Sequence, residues 1–284
     1  MGFRNVAQLA AANDEGRTSF CSLRKVPSQA SVAGNWVDLS MAAGNPVPQY
    51  YASSPLEAAT LDGVKGIFHG SDKAPSTKHL TDLGLVSPSA GFVGRFMLLD
   101  YLLYYPFIDG DSLDQQDLVN DVAIPRYVDG DGVMVMAVAS APTLGGGSFT
   151  FNYIDHNGDS KTSPTISVNT TAANIATLIT SEQGQLAGGM PFLRLAGGSR
   201  GVRQITSVTN LSATGGLYAL VLVKPLLDHA IREVNTMSEL NMVSMKPGAP
   251  RVLDDAYLGF ICNPSATVAA GLLTGYAKFA WGND

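Results

Sequence analysis

Charged residues are scarce in this 284-residue chain, because Asp, Glu, Lys and Arg together make up only 15% of it. Soluble domains usually carry about 25%. Charge keeps the surface of a monomer hydrated and separate from its neighbours. So low a content therefore indicates that partners cover part of the surface. A secreted β-protein with a surface rich in Ser, Thr and Asn is the alternative explanation.

Basic clusters are also missing. The net charge is −6, and the most basic six-residue stretch, residues 199–204, contains only Arg200 and Arg203. Proteins that bind nucleic acid normally concentrate Lys and Arg on one face. The sequence therefore excludes DNA or RNA as the principal ligand.

Long apolar runs are absent as well. A membrane helix needs roughly 18 apolar residues, and the longest candidate, residues 92–107, contains Arg95 and Asp100. The first residues do not form a secretion signal, because the apolar part at residues 6–12 is short and acidic residues follow it at once. We therefore expect a protein that has no membrane segment and is made and assembled in a cytoplasm.

Cysteine and histidine occur too sparsely for a metal site. The chain has two cysteines, Cys21 and Cys262, and four scattered histidines, with neither a CxxC pair nor an HExxH motif. Zinc sites depend on such close spacing. The sequence predicts no cofactor, and it favours two buried free thiols over a disulfide bond between cysteines so far apart.

Residues 109–114 have the alternating oxygen-bearing side chains of a calcium loop, with Asp109, Asp111 and Asp114 as candidate ligands. An EF-hand loop carries Glu at its twelfth position, and that position is Asn120 here. We therefore expect these carboxylates to cap turns through hydrogen bonds. Calcium binding in an irregular loop is the alternative.

Glycine-rich stretches at residues 145–148 and 197–201 lack the Lys-Ser/Thr pair of a phosphate-binding loop, so they are interpreted as hinges. The two tryptophans are far apart, whereas sugar-binding proteins usually cluster their aromatic residues. A pair of glycosidase carboxylates is an alternative that the sequence leaves open. On balance the sequence predicts a protein that is not an enzyme.

Strand patterns dominate the middle of the chain. Residues 133–138 are an apolar run typical of a strand buried on both faces, and apolar and polar residues alternate over residues 148–154. Asn157-Gly158 then supplies a tight hairpin turn. Further strands are predicted at residues 165–168, 203–209, 217–223, 256–262 and 275–281.

Short helices are expected between and before these strands. After Thr170 or Thr171 as a cap, Ile175, Leu178 and Ile179 have helical spacing, and Gly184 is suited to end that helix. Other helices are predicted at residues 6–13, 55–61, 77–85 and 226–234.

Together these patterns predict a mainly β protein with short helices (α+β), with an antiparallel sandwich- or barrel-like core and an extended, irregular N-terminal region. Residues 1–127 form that irregular arm and a mixed region. Residues 128–225 form a β-β-α-β-β antiparallel module. Residues 226–284 supply a helix and a strand pair that pack with the rest.

Two stretches resemble virion proteins of tailed bacteriophages. Leu144 to Leu178 combines a glycine-rich entry, an alternating strand, an Asn-Gly turn, a Thr-rich strand and a short helix, and it is similar to a module common in such proteins. Residues 250–260, followed by a strand that ends at Trp281, look like the C-terminal region of phage head-associated structural proteins. The two stretches cover about a third of the chain.

The resemblance implies a capsid cement, decoration or minor capsid protein that is located in the virion, assembled in the host cytoplasm, and bound to the major capsid protein. It also implies a homo-oligomer, for which a trimer is preferred. A tail, neck or baseplate component is the closest alternative. A carbohydrate-binding or depolymerase module of a virion spike is the alternative of a different class.

Aromatic residues are the candidates for partner contacts, because they bury much area at little entropic cost. The alternative is that they fill the protein's own core. The candidates are Trp36, Tyr50, Tyr51, Tyr104, Tyr105 and Phe107.

Overall fold

Strands form along most of the chain, and the computed structural model describes residue 3 and residues 5–27, 29–30, 32–180, 190–241, 248–267 and 271–282. Within these residues the α-helix α1 spans Val6–Asp14, and short 3₁₀ helices span Leu39–Met41, Gly63–Lys65 and Ala90–Phe92. The strands are β1 (Thr18–Val26), β2 (Val37–Asp38), β3 (Ala43–Asn45), β4 (Ala59–Thr60), β5 (Thr77–Val86), β6 (Gly94–Asp109), β7 (Gln116–Asp117), β8 (Met134–Ala139), β9 (Ser148–Asp155), β10 (Ser160–Thr162), β11 (Ile166–Ser167), β12 (Val202–Ser212), β13 (Leu217–Ile231), β14 (Ser238–Asn241), β15 (Arg251–Val252), β16 (Tyr257–Pro264) and β17 (Leu273–Gly282).

The strands form three antiparallel sheets. The central sheet has the order β2-β16-β6-β13-β8, with β4 on β6. The terminal sheet has the order β14-β5-β17-β1-β3, with β15 on β5, and the hairpin sheet has the order β10-β9-β12-β7, with β11 on β9. The prediction of a mainly β protein with an antiparallel, sandwich-like core is therefore confirmed.

The 16-residue strand β6 joins both smaller sheets to the central sheet. Near its start, Phe96 and Leu98 lie in one apolar core with residues of the terminal sheet. Farther along the same strand, Leu102 and Tyr105 lie in a second core with residues of the hairpin sheet. Alternate residues of a strand point to one face, and the register shift against β13 at Leu102 changes the phase of this alternation, so that Tyr105 shares the face of Phe96 and Leu98. The two sheets therefore cover the two halves of one face of the central sheet.

The opposite face of the central sheet is covered by segments outside the long strands. Trp36, Met41 and Tyr51 form a third core there with Leu99 and Val221 of the central sheet. Part of the predicted N-terminal arm therefore folds back onto the chain's own sheet. The predicted first region (residues 1–127) also supplies β1, β5 and β6, and β13 crosses the predicted boundary at residue 225.

Three helix predictions are wrong. Residues 77–85 belong to β5, and residues 226–231 continue β13, where Leu227 and His229 pair with β6. Residues 55–61 contain no helix and include β4. In each case hydrogen bonding to a neighbouring strand overrides a helical pattern, because tertiary context outweighs local propensity. The prediction at residues 6–13 is confirmed as α1.

The helix predicted after Thr171 is wrong over its described part, residues 171–180. The backbone N–H groups of Leu178 and Ile179 donate to the carbonyls of Trp36 and Ala137, so this segment bonds across to the sheet instead of to itself. Gly184, the predicted end of that helix, lies outside the described residues.

In the described part of the chain, no helix has the length and apolar character that crossing a membrane requires.

Candidate functional site

A buried ion pair lies on the face of β6 that the terminal and hairpin sheets cover, at the boundary between the two cores on that face. Asp100 points to this face between Leu98 and Leu102, and its side chain has no solvent exposure. Arg126 donates from Nε to Asp100 Oδ2 at 3.0 Å and from Nη2 to Asp100 Oδ1 at 2.8 Å. Burial raises the pKa of Asp100 to about 6, although the hydrogen bonds from Arg126 lower it. Each charged group would be strongly unfavourable in an apolar core without a partner, and the pair provides that partner.

A second buried cluster links β5 to the turn before β16. Lys78 Nζ lies 2.9 Å from His69 Nδ1 and 3.3 Å from Asp254 Oδ1. His69 Nε2 lies 2.9 Å from the carbonyl oxygen of Ala256. Burial, and next the charge of Lys78, lower the pKa of His69 to about 4. The imidazole is therefore neutral, accepting a hydrogen bond at Nδ1 and donating one at Nε2.

Both clusters hold the same short segment, residues 254–257. The carboxylate of Asp254 also accepts hydrogen bonds from the backbone N–H groups of Lys73 and Ala74, at 2.9 and 3.0 Å. The N–H of Tyr257 donates to Asp100 Oδ1 at 3.1 Å. Because these side chains form hydrogen bonds with backbone groups of the connecting segments, the two clusters hold those segments in place.

A third cluster lies on the opposite face of the central sheet. The buried carboxylate of Asp38 accepts hydrogen bonds from the hydroxyl groups of Tyr51 and Tyr101 and from the backbone N–H of Ser40. Burial raises the pKa of Asp38, and these hydrogen bonds oppose that effect. Nearby Lys25 donates to two backbone carbonyls, and burial lowers its pKa to about 8.

A cavity of about 210 Å³ lies beside this cluster and is lined by residues that include Asp38, Met41 and Tyr50. The Asp38 side chain is fully buried, and both of its oxygens accept hydrogen bonds from within the chain. Because both oxygens already have partners, the role of Asp38 is structural. Its hydrogen bond from the N–H of Ser40 caps the 3₁₀ helix at Leu39–Met41.

Residues 197–201, interpreted above as a hinge, also have the GxSxG spacing of a nucleophile elbow. Ser199 Oγ accepts a hydrogen bond from Tyr153 Oη at 2.9 Å and donates one to Asp155 Oδ2 at 3.3 Å. In a catalytic triad the serine hydroxyl contacts the histidine, whereas here it contacts the aspartate directly. The segment also leads into a strand, not into a helix. The arrangement therefore ties the loop to β9.

The calcium candidates are placed in a turn. Asp109 Oδ1 accepts a hydrogen bond from the backbone N–H of Asp111 at 2.9 Å, which is the turn-capping contact expected from the sequence. Asp114 lies in the loop that follows. Among the described residues, no group of three or more His, Cys, Asp or Glu side chains is arranged to hold a metal ion.

The interface candidates are mostly interior. Tyr50 is 57% exposed, and Phe107 is half-buried. An interface role remains a prediction for these two, whereas the others have little surface left for a partner. The buried candidates are Trp36, Tyr51, Tyr104 and Tyr105.

The exposed apolar surface lies elsewhere. Phe20 in β1 and Phe68 are each 62% exposed. Sequence reasoning missed Phe20 because β1 was not predicted as a strand. The alternation of its inward Cys21 and Leu23 with its outward Phe20 and Ser22 is the signal that would have found Phe20.

The thiols of Cys21 and Cys262 are free and buried, as predicted, and burial raises the pKa of both. Both groups are therefore protonated near neutral pH.

Comparisons of this chain with protein families, with curated proteins and with solved structures found no match.

Proposed function

We propose that this chain is a structural protein of a tailed-phage virion, of the cement, decoration or minor capsid type, which binds and stabilises the capsid shell. The observation that carries the proposal is the placement of the large aromatic side chains inside the layered β body. A sugar-binding module presents aromatic residues in a groove, whereas a scaffold uses them as filling. Fully buried examples are Trp36, Tyr51, Tyr101, Tyr105, Tyr153, Tyr218 and Tyr257.

The surface supports the same proposal. Large apolar side chains stand exposed at several separate places, among them Val64 at 85% and Leu144 at 80%. Such single residues are common on protein surfaces, and it is the charged content of only 15% that favours a surface covered by contacts with other proteins. The buried polar clusters at Asp38, Asp100 and Lys78 stiffen the body, which suits a protein that reinforces a shell.

Binding to shells tests the proposal. Empty shells assembled from the major capsid protein of the same genome would be sedimented with increasing amounts of the purified chain. We expect saturable co-sedimentation and a higher temperature of shell disassembly. Disassembled shell protein serves as the control for binding that does not depend on the assembled surface.

Absence of co-sedimentation would contradict the proposal. Binding to isolated tail or baseplate particles instead would favour the tail, neck or baseplate alternative, and binding or cleavage of polysaccharides would favour the spike module. Mass measurement by light scattering, with and without calcium, tests the expected trimer and any role of Asp109, Asp111 and Asp114 in binding calcium.

A further inference from the structure

Strand β1 has an open edge. On one side it pairs with β17 from Thr18 to Lys25. On its other side β3 covers only Arg24 to Val26. Among the described residues, no strand pairs with the outer edge of residues 18–23. Such an edge presents unpaired backbone donors and acceptors to a further strand.

The pairing pattern identifies the outward groups. Trp281 N donates to the carbonyl oxygen of Arg17 at 3.1 Å, so this pair is of the hydrogen-bonded type. In antiparallel strands such pairs alternate with pairs whose amides point away. Thr18, Phe20 and Ser22 therefore direct their backbone N–H and C=O groups outward. The Ser22 carbonyl accepts a hydrogen bond from the Asn45 side chain, and Thr18 and Phe20 lie beyond the reach of β3.

An aromatic side chain flanks this edge on the outer face. The ring of Phe20 stacks there on Tyr276, with 5.5 Å between ring centroids. On the inner face the backbone of Phe68 forms a hydrogen bond with Cys21. Residues 18–23 contain no charge and no proline, which are the devices that normally protect an edge strand from pairing.

We propose that the outer edge of β1 pairs in an antiparallel manner with β1 of a second copy of this chain, with Phe20 opposite Phe20 on a two-fold axis. In this register Phe20 of each copy exchanges two hydrogen bonds with Phe20 of the other, and the N–H of Ser22 faces the carbonyl of Thr18 in the other copy. The Ser22 carbonyl keeps its hydrogen bond from the Asn45 side chain. The partner strand is a copy because the edge is complementary to itself, as a two-fold contact requires.

The length and charge of the strand agree with this register. Residues 18–22 of one copy face residues 22–18 of the other. Beyond Ser22, the chain's own β3 pairs with β1 from Arg24 onward. Asn45 of the chain's own β3 occupies the position opposite Arg24, so the strand of the second copy ends at Thr18 and the chain turns at Gly16, where φ is +68°. Glu15 of the second copy, which also pairs with Arg17 of its own chain, then lies at the same end as the exposed Arg24, so opposite charges meet at each end.

This two-fold contact differs from the trimer expected above and goes beyond the proposed function. It rests on the geometry of β1 and not on the virion assignment. Failure of shell binding would leave it standing, and its failure would leave shell binding untouched.

Charge exchange at Phe20 tests the contact. In light scattering the native chain is expected to be a dimer. Phe20→Lys and Phe20→Glu each place like charges across the axis, which should weaken association roughly tenfold or more. An equimolar mixture of the two variants should restore the dimer. The control variants Leu144→Lys and Leu144→Glu change an even more exposed apolar residue elsewhere and should remain dimeric.

Cysteine cross-linking tests the register independently. Phe20→Cys should form a covalent dimer on mild oxidation, because the facing Cα atoms of such a pair lie about 5.5 Å apart. Thr18→Cys alone should not, since its two copies are offset by about 13 Å along the strand. A mixture of Thr18→Cys with Ser22→Cys should cross-link. The native thiols are buried and serve as an internal control.

Circular dichroism and thermal unfolding of each variant show whether it is folded. A native chain that is monomeric, an oligomer whose mass Phe20→Lys leaves unchanged, or equal cross-linking of Thr18→Cys alone and Phe20→Cys would each overturn the proposal.

Discussion

Arg126 and Asp100 face each other in a two-point ion pair, at 3.0 and 2.8 Å, where the terminal and hairpin sheets meet on the central sheet. Both side chains are nearly or fully buried. Arg126 also donates to the carbonyl oxygens of Leu61 and Tyr101, at 3.2 and 2.8 Å. One guanidinium therefore connects β6 to the segment after β4, and its Nη1 lies 3.9 Å from Asp255 in the turn before β16.

Replacing one partner of this pair should destabilise the fold strongly. Arg126→Met leaves Asp100 buried without its cation, and breaking a buried pair in this way costs about 3–5 kcal/mol. The midpoint of urea unfolding should fall accordingly, with an unchanged dependence on urea concentration.

The double variant Arg126→Met/Asp100→Leu is the matched control. It removes both charges, so a large part of the lost stability should return. A single variant within about 1 kcal/mol of the native chain would show that the pair is not the connection described here.

Two tyrosines that touch each other should respond differently to loss of the hydroxyl group. Tyr101 donates to Asp38 at 2.8 Å, whereas the buried hydroxyl of Tyr257 has no hydrogen-bond partner among the described residues. Tyr101→Phe should cost about 1–3 kcal/mol, because Asp38 loses a donor in a buried place. Tyr257→Phe should be neutral or stabilising. Equal losses of unfolding free energy in the two variants would contradict this assignment.

His69 should make the stability depend on pH. Its pKa is about 4 in the folded chain, against 6.5 as the ordinary value. Between these values the unfolded chain binds more protons, so the free energy of unfolding rises with pH from about 4 to 6.5 and falls again on acidification. Titration of His69 changes the free energy of unfolding by at most about 3 kcal/mol over this range.

The measurement is the difference between the pH profiles of the native chain and His69→Gln. The variant should show a flatter profile between these two pH values. Other buried groups also titrate: burial lowers the pKa values of His79 and His229 and raises those of Asp38 and Asp100. Taking the difference between the two profiles cancels their contributions. Parallel profiles would refute a neutral, buried His69.

Two glycines of one loop should differ in their tolerance of alanine. A Cβ at Gly201 would lie 2.0 Å from the carbonyl oxygen of Gly130, whereas a Cβ at Gly197 meets no atom of the described residues within 4 Å. Gly201→Ala forces backbone apart and should cost about 1–3 kcal/mol or more. Gly197→Ala should stay within about 0.5 kcal/mol. Thermal unfolding of the pair measures the difference, and similar melting temperatures would contradict the close approach.

The strands of the middle and C-terminal regions were predictable because their signal is local. Residues 148–154 alternate in polarity, and this prediction is confirmed as β9; the apolar run at residues 133–138 is confirmed as β8. β6 was missed because its largely apolar run of 16 residues is longer than a typical buried strand, and periodicity alone does not distinguish such a run from a buried helix. β1 was missed although its residues alternate between inward and outward positions, and residues 77–85 of β5 were predicted as a helix.

The sequence by itself determined the β character, the antiparallel core and most strands after residue 128, since the direction in which a side chain points follows from its position along a strand. Only the tertiary structure decided which polar groups are buried together. Asp100 and Arg126 are 26 residues apart, and His69 and Ala256 are 187 apart. Such pairings depend on which strands become neighbours, and long-range packing determines that order. The open edge of β1 has the same origin, because β3 covers only its last three residues.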